Sequence, residues 1–280
     1  MGIQKTPSPL LTKIIYIPDE PVSIALCPDF EFGSWRYKQL AAHLFDWLPD
    51  VALRPHEREA LLYEPNKQLS TAARRLFDVE DADLRGEIGE ILVHIACRQE
   101  FGTIPFVSRL FYKMRSNDSV TSVDIVHLNE EKKSKKIHLW LGEAKIYQDL
   151  DQAKYAAFQS IEPLWDQDFL AEMKALIGPK MEKQASSEEL IWLFSDETSL
   201  DNIVDRIVIP ICIACDFDPT KEATKRTESY IEEVKNGVEN IRNYMKKKIP
   251  TEIKFVCIFI PMDNKNKLCS EVNKKAKAMI

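Results

Sequence analysis

Residues 120–147 read VTSVDIVHLNEEKKSKKIHLWLGEAKIY. Two apolar stretches rich in β-branched and aromatic residues, Val120 to Leu128 and Ile137 to Ile146, flank a polar run from Asn129 to Lys136. The pattern predicts two strands joined by a hairpin turn. Asp124 interrupts the first strand among Val123, Ile125 and Val126, and a carboxylate there is costly to bury unless something pairs with it. Glu143 and Lys145 end the second strand, and a period of two puts them on one face. A hairpin would bring the strand of Asp124 beside that of Glu143. Two carboxylates and a lysine would then meet at one edge of the sheet.

Outward from this hairpin the chain alternates helices and strands. Upstream, Ile88, Ile91, Leu92, Ile95 and Ala96 recur at helical spacing, so Leu84 to Glu100 predicts a buried helix, with Asp83 as N-cap and Gly102 as its stop. Phe106 to Met114 reads as a strand and Ser116-Asn117-Asp118 as a turn. Downstream, a helix is expected from Asp149 to Ser160, strands at Leu190 to Phe194 and Arg206 to Cys215, and a long helix from Glu222 to Lys247. Glu252 to Ile260 is apolar enough for a buried strand, and a short helix follows from Asp263. In the first 80 residues, Lys13 to Ile17 predicts a strand, while Tyr37 to Leu48, His56 to Leu62 and Leu69 to Phe77 predict helices, the first ended by Pro49. The expected fold is α/β, a mixed central sheet flanked by helices, with residues 1–80 an accessory segment and 81–280 the core domain.

Composition narrows the function. The 280 residues are 45% hydrophobic and 29% charged, ordinary for a globular chain. Only 8 glycines are present, and none forms a phosphate-cradling or dinucleotide fingerprint. No apolar run approaches the ~20 residues of a membrane span. Met1 to Thr12 lacks the pattern of a secretion signal, so a cytoplasmic location and reduced thiols are expected for the six cysteines. Cys212 and Cys215 form a C-x-x-C inside an apolar run, read as a buried strand and not a zinc site. The five histidines are scattered, with no H-E-x-x-H arrangement. The net charge of −6 argues against a protein that coats nucleic acid by itself. Basic clusters do occur, at Arg109, Lys113 and Arg115 and at Lys132, Lys133, Lys135 and Lys136, the latter read as a solvated hairpin tip.

Asp124, Glu143 and Lys145 suit phosphodiester hydrolysis. The carboxylates are hard oxygen ligands for Mg²⁺ (or Mn²⁺), and the backbone carbonyl of Ala144 could add another. Such a metal lowers the pKa of a bound water and stabilises charge on the attacked phosphate. Lys145 supplies a point charge to orient water or phosphate.

A helix with an acidic residue, then a strand Asp, then Glu-x-Lys resembles the PD-(D/E)XK nuclease superfamily, with Val123 where the family's proline often stands. The resemblance implies a nuclease-like core and a helical carboxylate that joins Asp124 and Glu143 as a metal ligand. The spacing in Gly86-Glu87-Ile88-Gly89-Glu90 favours Glu90 for that role, although Glu87 lies closer to the apolar stripe and remains the second choice. The strings RGEIGEILVH, SVDIVH and LWLGEAKIYQD are similar to the HamA family, nuclease subunits of the Hachiman anti-phage system, most strongly over residues 84–160. That similarity implies a Mg²⁺-dependent deoxyribonuclease in a hetero-complex with a HamB-like helicase, restrained until invading DNA is engaged. The alternatives are a catalytically silent DNA-sensing or helicase-docking module on the same fold, or a ribonuclease, since no motif here separates DNA from RNA. Gln152 or Lys154 could contact phosphate, and Tyr112 and Lys113 could line a DNA groove. Trp165 and Trp192 are expected in the core.

Overall fold

The computed structural model describes residues 6–77, 84–107, 123–131, 134–181, 188–195 and 197–280, without the side chains at 107 and 176–181. The chain begins with strands β1 (Thr12–Ile17) and β2 (Ser23–Cys27) and a small hairpin, β3 (Phe30–Glu31) with β4 (Ser34–Trp35). Four helices follow: α1 (Tyr37–Ala52), α2 (Pro55–Ala60), α3 (Pro65–Leu76) and α4 (Arg85–Phe101). Strands β5 (Ile104–Val107), β6 (Ile125–Glu130) and β7 (Ile137–Tyr147) come next, then α5 (Leu150–Ile161), α6 (Gln167–Met181), α7 (Glu188–Phe194) and α8 (Leu200–Val204). The chain closes with β8 (Ile207–Asp216), α9 (Asp218–Glu222), α10 (Glu228–Lys248), β9 (Lys254–Met262) and α11 (Lys265–Met279).

Seven strands form one mixed sheet in the order β1-β2-β9-β8-β7-β6-β5. The central four, β2, β9, β8 and β7, run parallel, and β1, β6 and β5 are each added by antiparallel pairing to the next strand inward in the sheet. Alternation along β7 separates two cores. Trp140, Ala144 and Ile146 pack toward α1, α4 and α11, while Leu139 and Leu141 pack toward α5 and α10. The expected α/β sheet flanked by helices is therefore the fold. Strand β8, buried along nearly its whole length, explains why both C-x-x-C thiols are inaccessible. Burial pushes the Cys215 thiol up to about 12, so it behaves as a small hydrophobe. No helix among the described residues is long and apolar enough to cross a membrane.

Several elements differ from the expectation. Pro49 does not end α1, which runs on to Ala52. The lost hydrogen bond is outweighed by burial of Val51, Ala52 and Leu53 and by the partners of Asp50. Leu190 to Phe194 is helix α7 and not a strand, because a short apolar run carries no period to tell the two apart. The long helix starts at Glu228 and not Glu222, since Thr227 caps it by accepting the Tyr230 N–H at 3.2 Å. Strand β2, wholly buried, had no alternation to announce it. Asp83 and the Ser116–Asp118 turn lie outside the described residues, as does most of the Phe106–Met114 strand beyond β5. Gly102 does stop α4, in the left-handed region at φ 64°.

A buried polar network fastens α1 to the sheet. Asp50 Oδ2 lies 2.9 Å from His94 Nε2 and accepts from Arg98 Nε at 3.0 Å, while its other oxygen pairs with Arg58. His94 Nδ1 lies 3.1 Å from His127 Nε2 on β6, whose Nδ1 meets the Thr103 hydroxyl at 2.8 Å. Burial would raise the Asp50 pKa, but the hydrogen bond from His94 and the charges of Arg98 and Arg58 outweigh it, so the carboxyl sits well below its usual range. Burial also pushes both imidazoles below their ordinary value.

Candidate active site at the end of β6 and β7

The hairpin brings Asp124, Glu143 and Lys145 together as the strand pattern requires. Ile125 pairs with Gly142, so one residue outward Asp124 stands beside Glu143. The Asp124 N–H donates to the Gly142 carbonyl at 2.9 Å. Its carboxylate oxygen Oδ2 accepts the Ala144 N–H at 2.8 Å. The side chain thus takes a ladder position where β6 begins, which fixes the carboxylate against β7.

Glycine at 142 is a steric requirement. A Cβ there would lie 2.4 Å from Ile125 Cγ1 and 3.0 Å from Pro210 Cγ. Pro210, in the middle of β8, has no N–H to give, and the β7–β8 pairing passes over it, resuming at Glu143 and Ile211. The β7–β8 ladder is therefore interrupted just before the buried carboxylate.

Glu143 is 4% exposed and its Oε1 accepts from Lys145 Nζ at 2.6 Å. The Lys145 side chain is 24% exposed. Burial raises the Glu143 pKa above its ordinary value, opposed by the Lys145 ammonium and by a hydrogen bond from the Ser160 hydroxyl on α5. An extra cation at this carboxylate would relieve the same cost.

Of the helical carboxylates, Glu90 is buried and Glu87 is half-buried. Gly89 brings α4 close to β7, since a Cβ on it would stand 3.2 Å from Ala144 Cβ. Glu90 therefore sits next to the helix–strand contact, but α4 covers the face of β7 opposite to the one that carries Glu143 and Lys145. Among the described residues, no three His, Cys, Asp or Glu side chains gather as a metal site. A metal at this end of the sheet would rest on Asp124 and Glu143. That donor set fits Mg²⁺, which keeps several waters and takes one or two carboxylates.

A groove of about 660 Å³ opens beside Lys145, walled by Tyr147, Gln152, Tyr155, Gln159 and Ser160. Sequence reasoning singled out only Gln152 of these. A signal was present: residues 152, 155, 156, 159 and 160 share one face of α5, opposite the apolar Ala153, Ala157 and Ile161. Lys154 is turned away, with its ammonium against Asn240, Asp151 and the Tyr244 ring, and does not reach the groove. Trp165 packs near Phe158 as expected for a core residue, whereas Trp192 is 39% exposed beneath Arg206. Lys135 and Lys136 are exposed at the hairpin tip, as a solvated turn requires. Arg109, Tyr112, Lys113, Arg115, Lys132 and Lys133 lie outside the described residues.

The HamA family model matches residues 10–276, nearly the whole chain. No curated protein matches it at a significant level.

Proposed function

Because this chain belongs to the HamA family, and because Asp124, Glu143 and Lys145 share one end of a paired β6 and β7, we propose that it is a metal-dependent deoxyribonuclease. Membership places it in the Hachiman anti-phage defence system. In this reading residues 81–280 are the nuclease-like domain, residues 1–80 its accessory segment, and a helicase subunit its partner in a hetero-complex.

The observation that carries the reading is a buried carboxylate, Glu143, held beside a second carboxylate and a lysine where the sheet opens to a groove. Asp124 and Glu143 would hold Mg²⁺ or Mn²⁺, and a helical carboxylate that joined them would be Glu90, with Glu87 the alternative. The bound metal would supply an acidified water and a counter-charge for the phosphate. Asp124, tethered to the Ala144 N–H, presents its carboxylate in a fixed direction. Lys145 leaves its ion pair with Glu143 to meet phosphate as a point charge.

One observation favours the rival reading of a catalytically silent module that senses DNA or docks a helicase. Asp124 Oδ2 and Glu143 Oε1 each already hold a partner within the chain. The test is to incubate the chain with plasmid and linear DNA in Mg²⁺ or EDTA, alone and with its helicase and ATP. Wild type should cut only with metal, and Glu143→Ala and Lys145→Ala, folded by circular dichroism, should lose on the order of 10²-fold or more of the rate. Silence of wild type under every condition would leave the rival reading in place.

A further inference from the structure

We infer that the groove beside Lys145 receives an unpaired stretch of DNA, with a base stacked on Tyr155. If the scissile phosphate lies at Lys145, as the nuclease reading has it, the adjoining nucleotide falls in this groove. Its volume, about 660 Å³, is within the range of small-molecule sites and ample for a nucleotide.

The walls select against a duplex. Phosphate charge dominates binding of double-stranded DNA, and proteins meet it with many cations. Among the described residues, the only cation lining the groove is Lys145. The other nearby ammonium, Lys154, is buried against Asn240 and Tyr244. Asp151, a carboxylate at the rim, is paired with Lys154 at 2.5 Å, which mutes its repulsion of a phosphate. The described walls offer aromatic and amide contacts in place of further charge. Tyr155 is 60% exposed on the groove wall, a large ring left mostly open to solvent. An aromatic face of this kind stacks with any unpaired base, whereas the bases of a duplex already stack on each other. Gln152 and Gln159, one turn before and after it on the same face of α5, offer neutral donors and acceptors to sugar or base edges.

The test is fluorescence anisotropy of the full chain with a labelled short oligothymidine and a blunt duplex of equal length, in EDTA so that nothing is cut, beside the cleavage assay in Mg²⁺. Tyr155→Ala should weaken oligothymidine binding about tenfold, and Tyr155→Phe, which keeps the ring, should restore it. Duplex binding should be weaker throughout and insensitive to both. The salt dependence of oligothymidine binding should be shallow, with a log–log slope of about −0.7, as for one phosphate contact. Wild-type affinity in Tyr155→Ala, tighter binding of the duplex, or no binding of oligothymidine would each overturn the inference. Cleavage that needs Glu143 but ignores Tyr155 would sink this inference alone. Tyr155-dependent binding without Glu143-dependent cleavage would sink the nuclease reading alone.

Discussion

Glu143 holds a charge in a place that resists it. Its pKa is raised by burial, with Lys145 and Ser160 pulling the other way. The sign of the consequence follows from linkage. Below the ordinary value of 4.5 the carboxyl is protonated in folded and unfolded chains alike, and it costs nothing. As pH rises past that value the unfolded chain ionises first, so folded stability falls until the raised folded pKa has been passed. In EDTA at pH 7, Glu143→Gln should therefore melt above wild type, and the gap should close toward pH 4.5. Mg²⁺ should raise the wild-type melting temperature and leave the variant where it was. Circular dichroism melts across that range check both; a variant that melts lower than wild type at pH 7 would mean that the buried charge is not a cost. The trio of Asp124, Glu143 and Lys145 was legible because two strands and a short turn leave few ways to arrange it. The groove residues were less so, since a polar stripe such as Gln152, Tyr155 and Gln159 reads equally well as an ordinary solvent face. The side on which Glu90 lies could not be read at all, because it depends on which face of the sheet α4 covers.

Among the elements, the hairpin of β6 and β7 was readable and its neighbour β8 only in outline. The alternation in VDIVHL and the polar tip fixed the hairpin, whereas β8 announced burial but not the break in pairing at Pro210. That spot depends on Gly142, a residue with a positional role that no periodicity records. Gly142→Ala must push Ile125 or the Pro210 ring aside, with contacts of 2.4 Å and 3.0 Å to relieve. A cost of about 1–3 kcal/mol is expected in urea unfolding, the usual penalty for overpacking a core. DNA cleavage should fall as well, because the displaced strand carries Glu143 and the amide that holds Asp124. A variant as stable and as active as wild type would show that the two strands part there without strain. The helix α7 and the run of α1 through Pro49 were misread for one reason: tertiary burial, not local preference, decides short apolar segments.

In the whole molecule, residues from both sides of position 80 share a core, with Leu44 and Leu48 of α1 in the same cluster as Ile88 and Leu92 of α4. The Asp50, His94 and His127 network adds a polar fastening, invisible in the sequence because its members lie 44 and 33 positions apart. Removing Asp50 would take away the carboxylate that Arg58, Arg98 and His94 share, and Asp50→Ala should cost about 3–5 kcal/mol in urea unfolding. The network also sets the response to acid. Imidazoles with folded pKa values below 6.5 draw fewer protons folded than unfolded, so stability should decline as pH falls below that value. Asp50, depressed below 3.8, gives stability that persists above 3.8 and is lost only as pH falls further, through its folded pKa. A flat urea midpoint from pH 7 to pH 5 would show that the imidazoles do not govern this range. The strand order has a consequence in time. Strand β2 lies between β1 and β9, so residues 23–27 find their second neighbour only when residues 254–262 have left the ribosome. Helix α11, which seals α1 on the same side, emerges later still. A growing chain therefore carries the hairpin of Asp124 and Glu143 long before the sheet around it can close, and the sheet is completed only when β9 arrives.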